Sequence, residues 1–280
     1  MPLTTTGELV TRARAARGAV AAFNIITLEH IEAVIAGAEA ADAPVVLQVS
    51  ENAVKFRLGR LLPLARAAAV AAERAAVPVA LHLDHVRSEA LLVQAATAGF
   101  GSVMYDASRL PYAENLAATR TAVDRAHAQG LWIEAELGEI GGKGAHAPGA
   151  RTDPAEARAF VADSGVDALA VAVGSVHAMT TRTAALDHDL IARLGAALDV
   201  PLVLHGSSGV PDRELTAAVA GGIAKVNVGT ALNQAMTGAI RDYLGTHPDA
   251  VDARLYLNAG RQAMARTVER IITGAGLTPA

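Results

Sequence analysis

Short apolar runs alternate with longer amphipathic segments along the whole chain. Eight of these runs have the length and the Val, Leu, Ile or Ala content of buried strands. They cover residues 19–23, 45–49, 78–83, 101–105, 131–136, 168–173, 201–204 and 224–228. The segments between them, such as HIEAVIAGAEAA (30–41), place apolar residues at helical spacing. Strands that alternate with helices predict right-handed β–α–β units and a parallel sheet.

Eight such units in 280 residues predict an α/β fold, a (β/α)8 TIM barrel. Asp153, Pro154 and Glu156 form a capping-box pattern that predicts the start of the helix before the sixth strand. We expect residues 1–280 to form a single domain, since no linker or low-complexity tract interrupts the pattern. The segment of about 248–275 is predicted to be a C-terminal helical extension, which could cap the barrel or serve an oligomer contact.

Composition narrows the class of protein. Hydrophobic residues make up 52% of the chain and aromatic residues only 3%, so Ala, Val and Leu must fill the core. A chain without cysteine has no thiolate ligands or disulfides, which fits a cytoplasmic enzyme. The net charge of −4, with no cluster of Lys and Arg, argues against nucleic acid as a partner. No run is long and apolar enough to span a membrane, and the first residues lack the pattern of a signal peptide.

Titratable side chains follow three of the predicted strands. The third strand ends in VALHLDH (79–85), and two later segments, AVAVGSVH (170–177) and PLVLH (201–205), also end in His. A strand that is buried on both faces should end in titratable groups only where these groups face a functional site. In parallel barrels the catalytic groups lie at the carboxyl ends of the strands, where these three segments are expected to meet.

Three imidazoles with one open position are the ligand set of a catalytic zinc site. We therefore predict that His85, His177 and His205 bind one Zn²⁺ ion per chain. His82 is the competing ligand, but it lies within the strand, and we interpret it as a packing group or a support for a ligand.

Asp84 directly precedes one predicted ligand. A carboxylate beside a divalent cation stays charged and can take a proton from a substrate hydroxyl, so we predict that Asp84 is the catalytic base. The alternative is a carboxylate that only orients a ligand His.

Glycine and hydroxyl residues follow the seventh and eighth strands, in Gly206, Ser207, Ser208 and Gly209 and then in Asn227, Val228, Gly229 and Thr230. Loops at these two places often bind phosphate in barrels of this kind, so a phosphate site is predicted there. Glu134 and Glu136 share a strand face, and with Asp106 they form either a second cation site or an ion-pair network in the barrel mouth.

Eight segments of the chain resemble one known family, the class II, metal-dependent fructose-bisphosphate and tagatose-bisphosphate aldolases. They are AFN (22–24), LHLDH (81–85), GFGSVMYDAS (99–108), EAELGEIGG (134–142), TDPAEA (152–157), DALAVAVGSVH (167–177), LVLHGSSGV (202–210) and KVNVGTAL (225–232). The resemblance runs from about residue 3 to residue 275. It implies a (β/α)8 fold, zinc on the three His residues, and Asp84 as the acid/base group.

The resemblance also implies the substrate and its contacts. The substrate would be fructose 1,6-bisphosphate, tagatose 1,6-bisphosphate or a related ketose phosphate, cleaved reversibly at C3–C4 to dihydroxyacetone phosphate and an aldehyde. Asp84 would remove the C4 hydroxyl proton. Asn24 and Ser50 would line the substrate site, and Asp106 with Glu136 would match the second cation position, divalent or monovalent. The dihydroxyacetone phosphate would lie along Ala178, Gly206, Ser207, Ser208, Asn227, Val228, Gly229 and Thr230. Members of the family are commonly dimers or tetramers, so a homo-oligomer is expected.

The chain departs from the family pattern in several places. Ala178 replaces a usual Gly, Ala107 stands where the family usually has Gly in DGS, and Thr27 stands where the family often has Asn. The loop after EIGG normally carries an acidic proton carrier, whereas residues 143–148 of this chain have no carboxylate. We hypothesise that His146 carries the proton instead or that the substrate differs, the alternative being that His146 is an ordinary loop residue.

Three other functions compete with this one. A Schiff-base aldolase would need a barrel lysine, and only Lys225 is suitably placed. A metal-dependent hydrolase would use the imidazoles without needing both glycine-rich loops, and a non-catalytic barrel would explain the changed loop. Four arginines are candidates for binding a second phosphate: Arg57, Arg109, Arg182 and Arg261.

Overall fold

A computed structural model describes residues 3–138 and 150–277. The strands are β1 (Leu3–Thr4), β2 (Val20–Asn24), β3 (Val45–Ser50), β4 (Val79–Val86), β5 (Ser102–Tyr105), β6 (Trp132–Glu136), β7 (Ala168–Ala170), β8 (Leu202–Leu204) and β9 (Ile223–Val228). The α-helices are α1 (Thr6–Ala15), α2 (Leu28–Ala40), α3 (Glu51–Phe56), α4 (Leu62–Glu73), α5 (Glu89–Ala98), α6 (Tyr112–Ala128), α7 (Pro154–Ser164), α8 (His188–Ala197), α9 (Asp212–Ala220), α10 (Thr230–Thr246) and α11 (Ala253–Gly274). A short 3₁₀ helix covers Ser207–Gly209.

Strands β2 to β9 form a closed parallel barrel. Neighbouring strands in the chain pair in order, β9 pairs with β2, and the pairing of β4 with β5 completes the ring. The predicted TIM barrel is therefore confirmed, and each of the eight predicted strands overlaps an observed one. The main difference is at the sixth predicted strand, where the ladder ends at Ala170 and not at residue 173.

The N-terminal residues contribute elements that the apolar pattern did not predict. β1 pairs with the first residues of β4, alongside the barrel. Helix α1 then places Leu9 and Val10 against Val20 and Val46, so it closes the amino end of the barrel with apolar side chains. Consequently, the opposite end, where the strands finish, is the open mouth.

Helix boundaries follow the capping signals of the sequence. Asp153 accepts hydrogen bonds from the backbone N–H groups of Ala155 and Glu156, both at 2.9 Å, and Pro154 begins α7 as predicted. The C-terminal extension is helical, and α11 packs along α2 and α10 with Met264 and Val268 fully buried. Within residues 3–138 and 150–277, no helix is both long enough and apolar enough to cross a bilayer.

Candidate active site and metal centre

A cavity of about 480 Å³ opens at the carboxyl ends of the barrel strands. Its walls contain most of the predicted site residues, namely Asn24, Ser50, Asp84, His85, His177, Ala178, Gly206, Ser207, Ser208, Asn227, Gly229 and Thr230. Val228 is an exception, because its side chain belongs to the hydrophobic core between the barrel and the helices. Only the backbone of Val228 is therefore available to a substrate.

The three predicted ligands meet beneath this cavity. One nitrogen of each of His85, His177 and His205 lies within 4.8 Å of the corresponding nitrogens of the other two. Their ring centroids are 4.9 to 5.7 Å apart, and each pair of rings is tilted by at least 65°. His205 is completely buried, while His85 and His177 are partly exposed toward the cavity. Nitrogen atoms at this spacing are close enough to bind one ion.

The prediction that all three His residues stand at equivalent strand ends was wrong for His177. His205 directly follows β8, but His177 comes seven residues after the end of β7 at Ala170. Two glycines bring the loop back to the barrel mouth. Gly174 has φ +116°, and a Cβ there would lie 2.6 Å from the carbonyl oxygen of Ala185. Gly206 has φ +69°, and a Cβ would lie 2.8 Å from the carbonyl carbon of Val176, so the loops of His177 and His205 can touch.

His85 is placed by an irregularity in β4. The register against β5 shifts between Leu83 and Val86, and His85 has a left-handed φ of +50°. Such bulges turn a side chain away from the regular alternation of a strand. His85 Nδ1 lies 3.1 Å from Asp106 Oδ2, which leaves Nε2 for an ion. Asp106 in turn accepts hydrogen bonds from Arg87, at 2.7 Å from Nη2, and from Ser108.

The surroundings of Asp106 hold it in the charged form. Burial raises its pKa, but His85, Ser108 and Arg87 lower it more, so the pKa of Asp106 lies well below its usual range. Both oxygens of Asp106 are already hydrogen-bonded to protein groups. A second cation at Asp106 and Glu136 stays a prediction, and the contacts at Asp106 are those of a group that orients His85.

His205 lies between two carboxylates. Its Nε2 is 2.8 Å from Glu134 Oε1, and its Nδ1 is 3.1 Å from Glu136 Oε2. Burial lowers the pKa of His205, but the two flanking carboxylates raise it more, so the site favours positive charge at this position. Glu134 also contacts Lys225, and although burial raises the pKa of Glu134, Lys225 and His205 lower it to about 2. Thus Glu134 belongs to an ion-pair network, the second of the two alternatives that the sequence left open.

The donor set fits a zinc-like divalent ion. It contains three imidazoles, whose nitrogen atoms are close enough to contact one ion, and a carboxylate beside them. Nδ1 of His205 is buried and makes no regular hydrogen bond among the described residues, as expected for a nitrogen that binds an ion. The nearby carboxylates Asp84, Asp106, Glu134 and Glu136 favour positive charge at this position.

His82 lies deeper than the three ligands and is not part of the ligand group. Its Nδ1 contacts Ser102 Oγ at 2.8 Å on the neighbouring strand. Burial, together with the charge of Lys225, lowers the pKa of His82 to about 3, which keeps the ring neutral. The side chain therefore fits the packing role that its position within the strand predicts.

Asp84 combines one satisfied and one unsatisfied oxygen. Oδ2 accepts a hydrogen bond from Asn24 Nδ2 at 2.7 Å, whereas Oδ1 is buried and has no partner within residues 3–138 and 150–277. Burial raises the pKa of Asp84, but His85 and His205 lower it below its usual range. A charged carboxylate with a free lone pair beside the imidazoles is suited to accept a proton from a substrate hydroxyl.

The two glycine-containing loops line the same cavity as Asp84. Helix α10 begins at Thr230, so its first N–H groups point toward the mouth, where an anion is favoured. Ser208 Oγ accepts a hydrogen bond from the N–H of Ala231 at 3.1 Å, which joins the two loops. Phosphate binding here stays a prediction, and the arrangement supplies the donors that it requires.

Several residues of the site were not predicted from the sequence. Ile26, Asn52, Ala53, Phe56 and Asn233 line the outer part of the cavity, and no motif marked them. Arg87, which holds Asp106, was also missed. A signal was available for Asn52 and Arg87, since each lies in a segment that directly follows a predicted site residue.

Three of the four candidate arginines are engaged elsewhere. Arg57 donates to the carbonyl of Ile26, Arg182 to Val210 and Asp212, and Arg261 to Glu32 and Asn258. Arg109 is exposed after β5 and does not line the cavity. His146 lies outside the described residues.

Ala178 provides a test of local strain. It follows His177, is exposed and has φ +61°, a region that costs a residue with a Cβ roughly 1–3 kcal/mol. We expect Ala178→Gly to stabilise the protein by about 1 kcal/mol, measured by urea unfolding. Ala117→Gly, at an exposed position within α6, is the matched control and should cost about 1 kcal/mol. A loss of stability in Ala178→Gly would show that the left-handed residue is not strained.

The fold and this site together define the class of protein. Three imidazoles and a buried carboxylate lie at the mouth of a parallel barrel, next to the N–H groups of a helix. This arrangement is typical of a TIM-barrel enzyme with a metal centre.

Comparison with known proteins identifies the family. The family described as class-II fructose-bisphosphate aldolase matches residues 4–278. A probable fructose-bisphosphate aldolase of Bacillus subtilis (strain 168) is 38% identical over 272 residues, covering 96% of this chain and 95% of the relative. The crystal structure of the YdjI aldolase of Escherichia coli K12 has a TM-score of 0.85 and 33% identity, covering 98% of this chain and 97% of that one. A putative fructose-1,6-bisphosphate aldolase of Coccidioides immitis has a TM-score of 0.86 and 33% identity, covering 98% and 96%.

The chain belongs to the class II fructose-bisphosphate aldolase family. It is an aldolase, and so a carbon–carbon lyase, as the resemblance of its motifs implied.

Proposed function

We propose that this protein is a zinc-dependent aldolase that reversibly cleaves a ketose phosphate into dihydroxyacetone phosphate and an aldehyde. Fructose 1,6-bisphosphate and tagatose 1,6-bisphosphate are the expected substrates. The observation that carries the proposal is that three imidazoles meet at the base of a cavity whose walls contain Asp84 and both glycine-rich loops.

Each part of the cavity has a role in this reaction. The backbone N–H groups near Gly206 and Thr230 bind the phosphate of the dihydroxyacetone phosphate half. The metal ion, when bound by the three His residues, supplies Lewis-acid stabilisation of developing negative charge. Asp84 accepts the proton of the C4 hydroxyl, and Asn24 holds Asp84 in position through its hydrogen bond to Oδ2. As the C3–C4 bond breaks, its electron pair stays with the dihydroxyacetone phosphate half and the aldehyde departs.

The product carbon C3 then needs a proton. His146, in the loop that normally carries an acidic residue, remains our candidate for this transfer. Asn24 and Ser50 line the same cavity as Asp84 and are proposed as further substrate contacts.

The Schiff-base alternative finds no support in the described residues. Lys225 is 0% exposed, contacts Glu134 Oε2 at 2.9 Å and does not line the cavity. A lysine that forms a Schiff base must reach the carbonyl carbon of the substrate.

A cleavage assay over a panel of ketose phosphates tests the proposal. Purified protein would be incubated with each sugar, with and without added zinc, and dihydroxyacetone phosphate would be measured. We expect zinc-dependent release of dihydroxyacetone phosphate from at least one ketose 1-phosphate or 1,6-bisphosphate. Borohydride should not trap a substrate on the protein. Hydrolysis of phosphate esters without cleavage of the C3–C4 bond would support the hydrolase alternative. Bound zinc with no turnover of any sugar would support a non-catalytic barrel.

The cytoplasmic location and the homo-oligomeric state stay predictions.

A further inference from the structure

Beneath the three imidazoles, the barrel interior holds an ion pair that no step of the proposed reaction uses. Glu134 on β6 and Lys225 on β9 are both 0% exposed, and Lys225 Nζ lies 2.9 Å from Glu134 Oε2. Burying two charges inside a protein is costly unless both are paired and hydrogen-bonded, and apolar residues often serve as well for stability. The pair therefore needs an explanation other than stability.

The second oxygen of Glu134 determines which nitrogen of His205 carries a proton. Glu134 Oε1 is 2.8 Å from His205 Nε2. A charged carboxylate only accepts hydrogen bonds, so the Nε2–H group must be the donor. Nδ1 is then the nitrogen left to bind an ion: it makes no regular hydrogen bond among the described residues, and Glu136 Oε2, 3.1 Å away, would lie beside an ion bound there.

Lys225 accounts for the position of Glu134. With Lys225 on Oε2 and His205 on Oε1, each oxygen of the carboxylate has its own donor, and the group cannot rotate without losing one of them. Without Lys225, a buried carboxylate would keep one of these two partners, and its hold on the imidazole would weaken.

The same chemistry recurs at a second imidazole. His85 Nδ1 contacts Asp106 Oδ2 at 3.1 Å, and Arg87 holds Asp106 from the other side at 2.7 Å. Imidazoles that bind metals usually donate their other N–H to such a carboxylate, which fixes the orientation of the ring. Two of the three candidate ligands are thus supported by a carboxylate that is itself held by a cation.

We propose that Glu134 and Lys225 are positioning residues for the metal ion: Glu134 holds His205 with its proton on Nε2 and Nδ1 toward the ion, and Lys225 holds Glu134 in place. This inference rests on the proposed metal-dependent function, since it requires an ion on His205. Neither residue lines the cavity, so neither touches the substrate.

Glu134→Gln, Lys225→Met and the double variant test the inference. Zinc affinity would be measured by competition with a chromophoric chelator, without any sugar present. Cobalt-loaded protein would report the coordination of the ion through its visible spectrum. Each single variant should bind zinc about 10- to 100-fold more weakly than the wild type, and the cobalt spectrum of Glu134→Gln should change.

The double variant separates positioning from a purely structural ion pair. It removes both charges together, so thermal stability should recover relative to each single variant. Zinc affinity should stay as weak as in Glu134→Gln, because the carboxylate that orients His205 is still missing. Recovery of both stability and zinc affinity in the double variant would overturn the proposal. The double variant also keeps the test decisive where a single variant does not fold.

Ser102→Ala is the matched control. Ser102 is 0% exposed in the same barrel, and its hydroxyl contacts Thr6 and His82 but not His205. It should lower thermal stability and leave zinc affinity and the cobalt spectrum unchanged. Wild-type zinc affinity in Glu134→Gln would overturn the inference and leave the aldolase proposal standing. Tight zinc binding that depends on Glu134, without cleavage of any ketose phosphate, would instead overturn the function alone.

Discussion

Replacing Asp84 with Asn should lower kcat for ketose phosphate cleavage by about 10²- to 10⁴-fold, the range of a general base. Asn keeps the size of the side chain but cannot accept the C4 hydroxyl proton. Zinc content should stay near one ion per chain, because the three imidazoles are unchanged. Dihydroxyacetone phosphate has no C4 hydroxyl, so the exchange of its C3 hydrogen with solvent should fall less than cleavage does. Steady-state kinetics, metal analysis and exchange in deuterated water measure the three quantities.

Asp153→Asn is a suitable control for Asp84→Asn. Asp153 caps α7 through its side chain, and Asn caps helices about as well, so kcat should not change. Cleavage within about twofold of the wild type in Asp84→Asn would remove Asp84 from the role of base. A loss of zinc together with activity would point instead to the alternative that Asp84 orients a ligand.

Removing the metal should lower kcat by a similar factor. Stabilisation of developing negative charge by a metal ion is worth several kcal/mol, so chelation should lower kcat by roughly 10³-fold or more. Added zinc should restore activity in the wild type. His177→Ala should not recover at the same zinc concentration, because the ligand group loses one of its three imidazoles. Activity before and after dialysis against chelator, with metal content measured in parallel, provides the comparison.

His127→Ala is the control for the loss of an imidazole. His127 lies on α6 and contacts Asp167 at 3.0 Å, away from the ligand group. It should keep both zinc and activity. Full turnover in protein stripped of metal would exclude the proposed chemistry, and the buried carboxylates would then need another explanation.

Much of the fold could be predicted because burial imposes a pattern on the chain. The run VALHLDH (79–85) falls within β4, and the Asp153 pattern marks the start of α7, since a cap and a buried strand are both local requirements. Helix α1 and strand β1 were missed. The role of α1 in closing the barrel depends on contacts with Val20 and Val46, which are distant in sequence from Leu9.

The site shows the same division. Asp84, His85 and His205 were recognisable because each interrupts or follows an apolar run at a strand end. His177 reaches the same place by another route, through a loop that depends on Gly174 and its contact with Ala185.

The choice between a cation site and an ion-pair network at Glu134 was not available from the sequence. Both alternatives need carboxylates on one strand face, and only the charged side chains that Glu134 meets inside the barrel distinguish them. Lys225 is 91 residues away from Glu134 in the chain, yet their charged atoms are 2.9 Å apart.

By itself, the sequence determined the barrel, the family and the chemical types at the mouth. These properties depend on the alternation of apolar strands with amphipathic helices, on helix caps and on short motifs. All three are set by residues close together in the chain. Only the tertiary structure decided which nitrogen of His85 and of His205 faces a carboxylate and which oxygen of Asp84 is held by Asn24. Those properties depend on hydrogen bonds between distant strands, and closing the barrel is what brings such strands together.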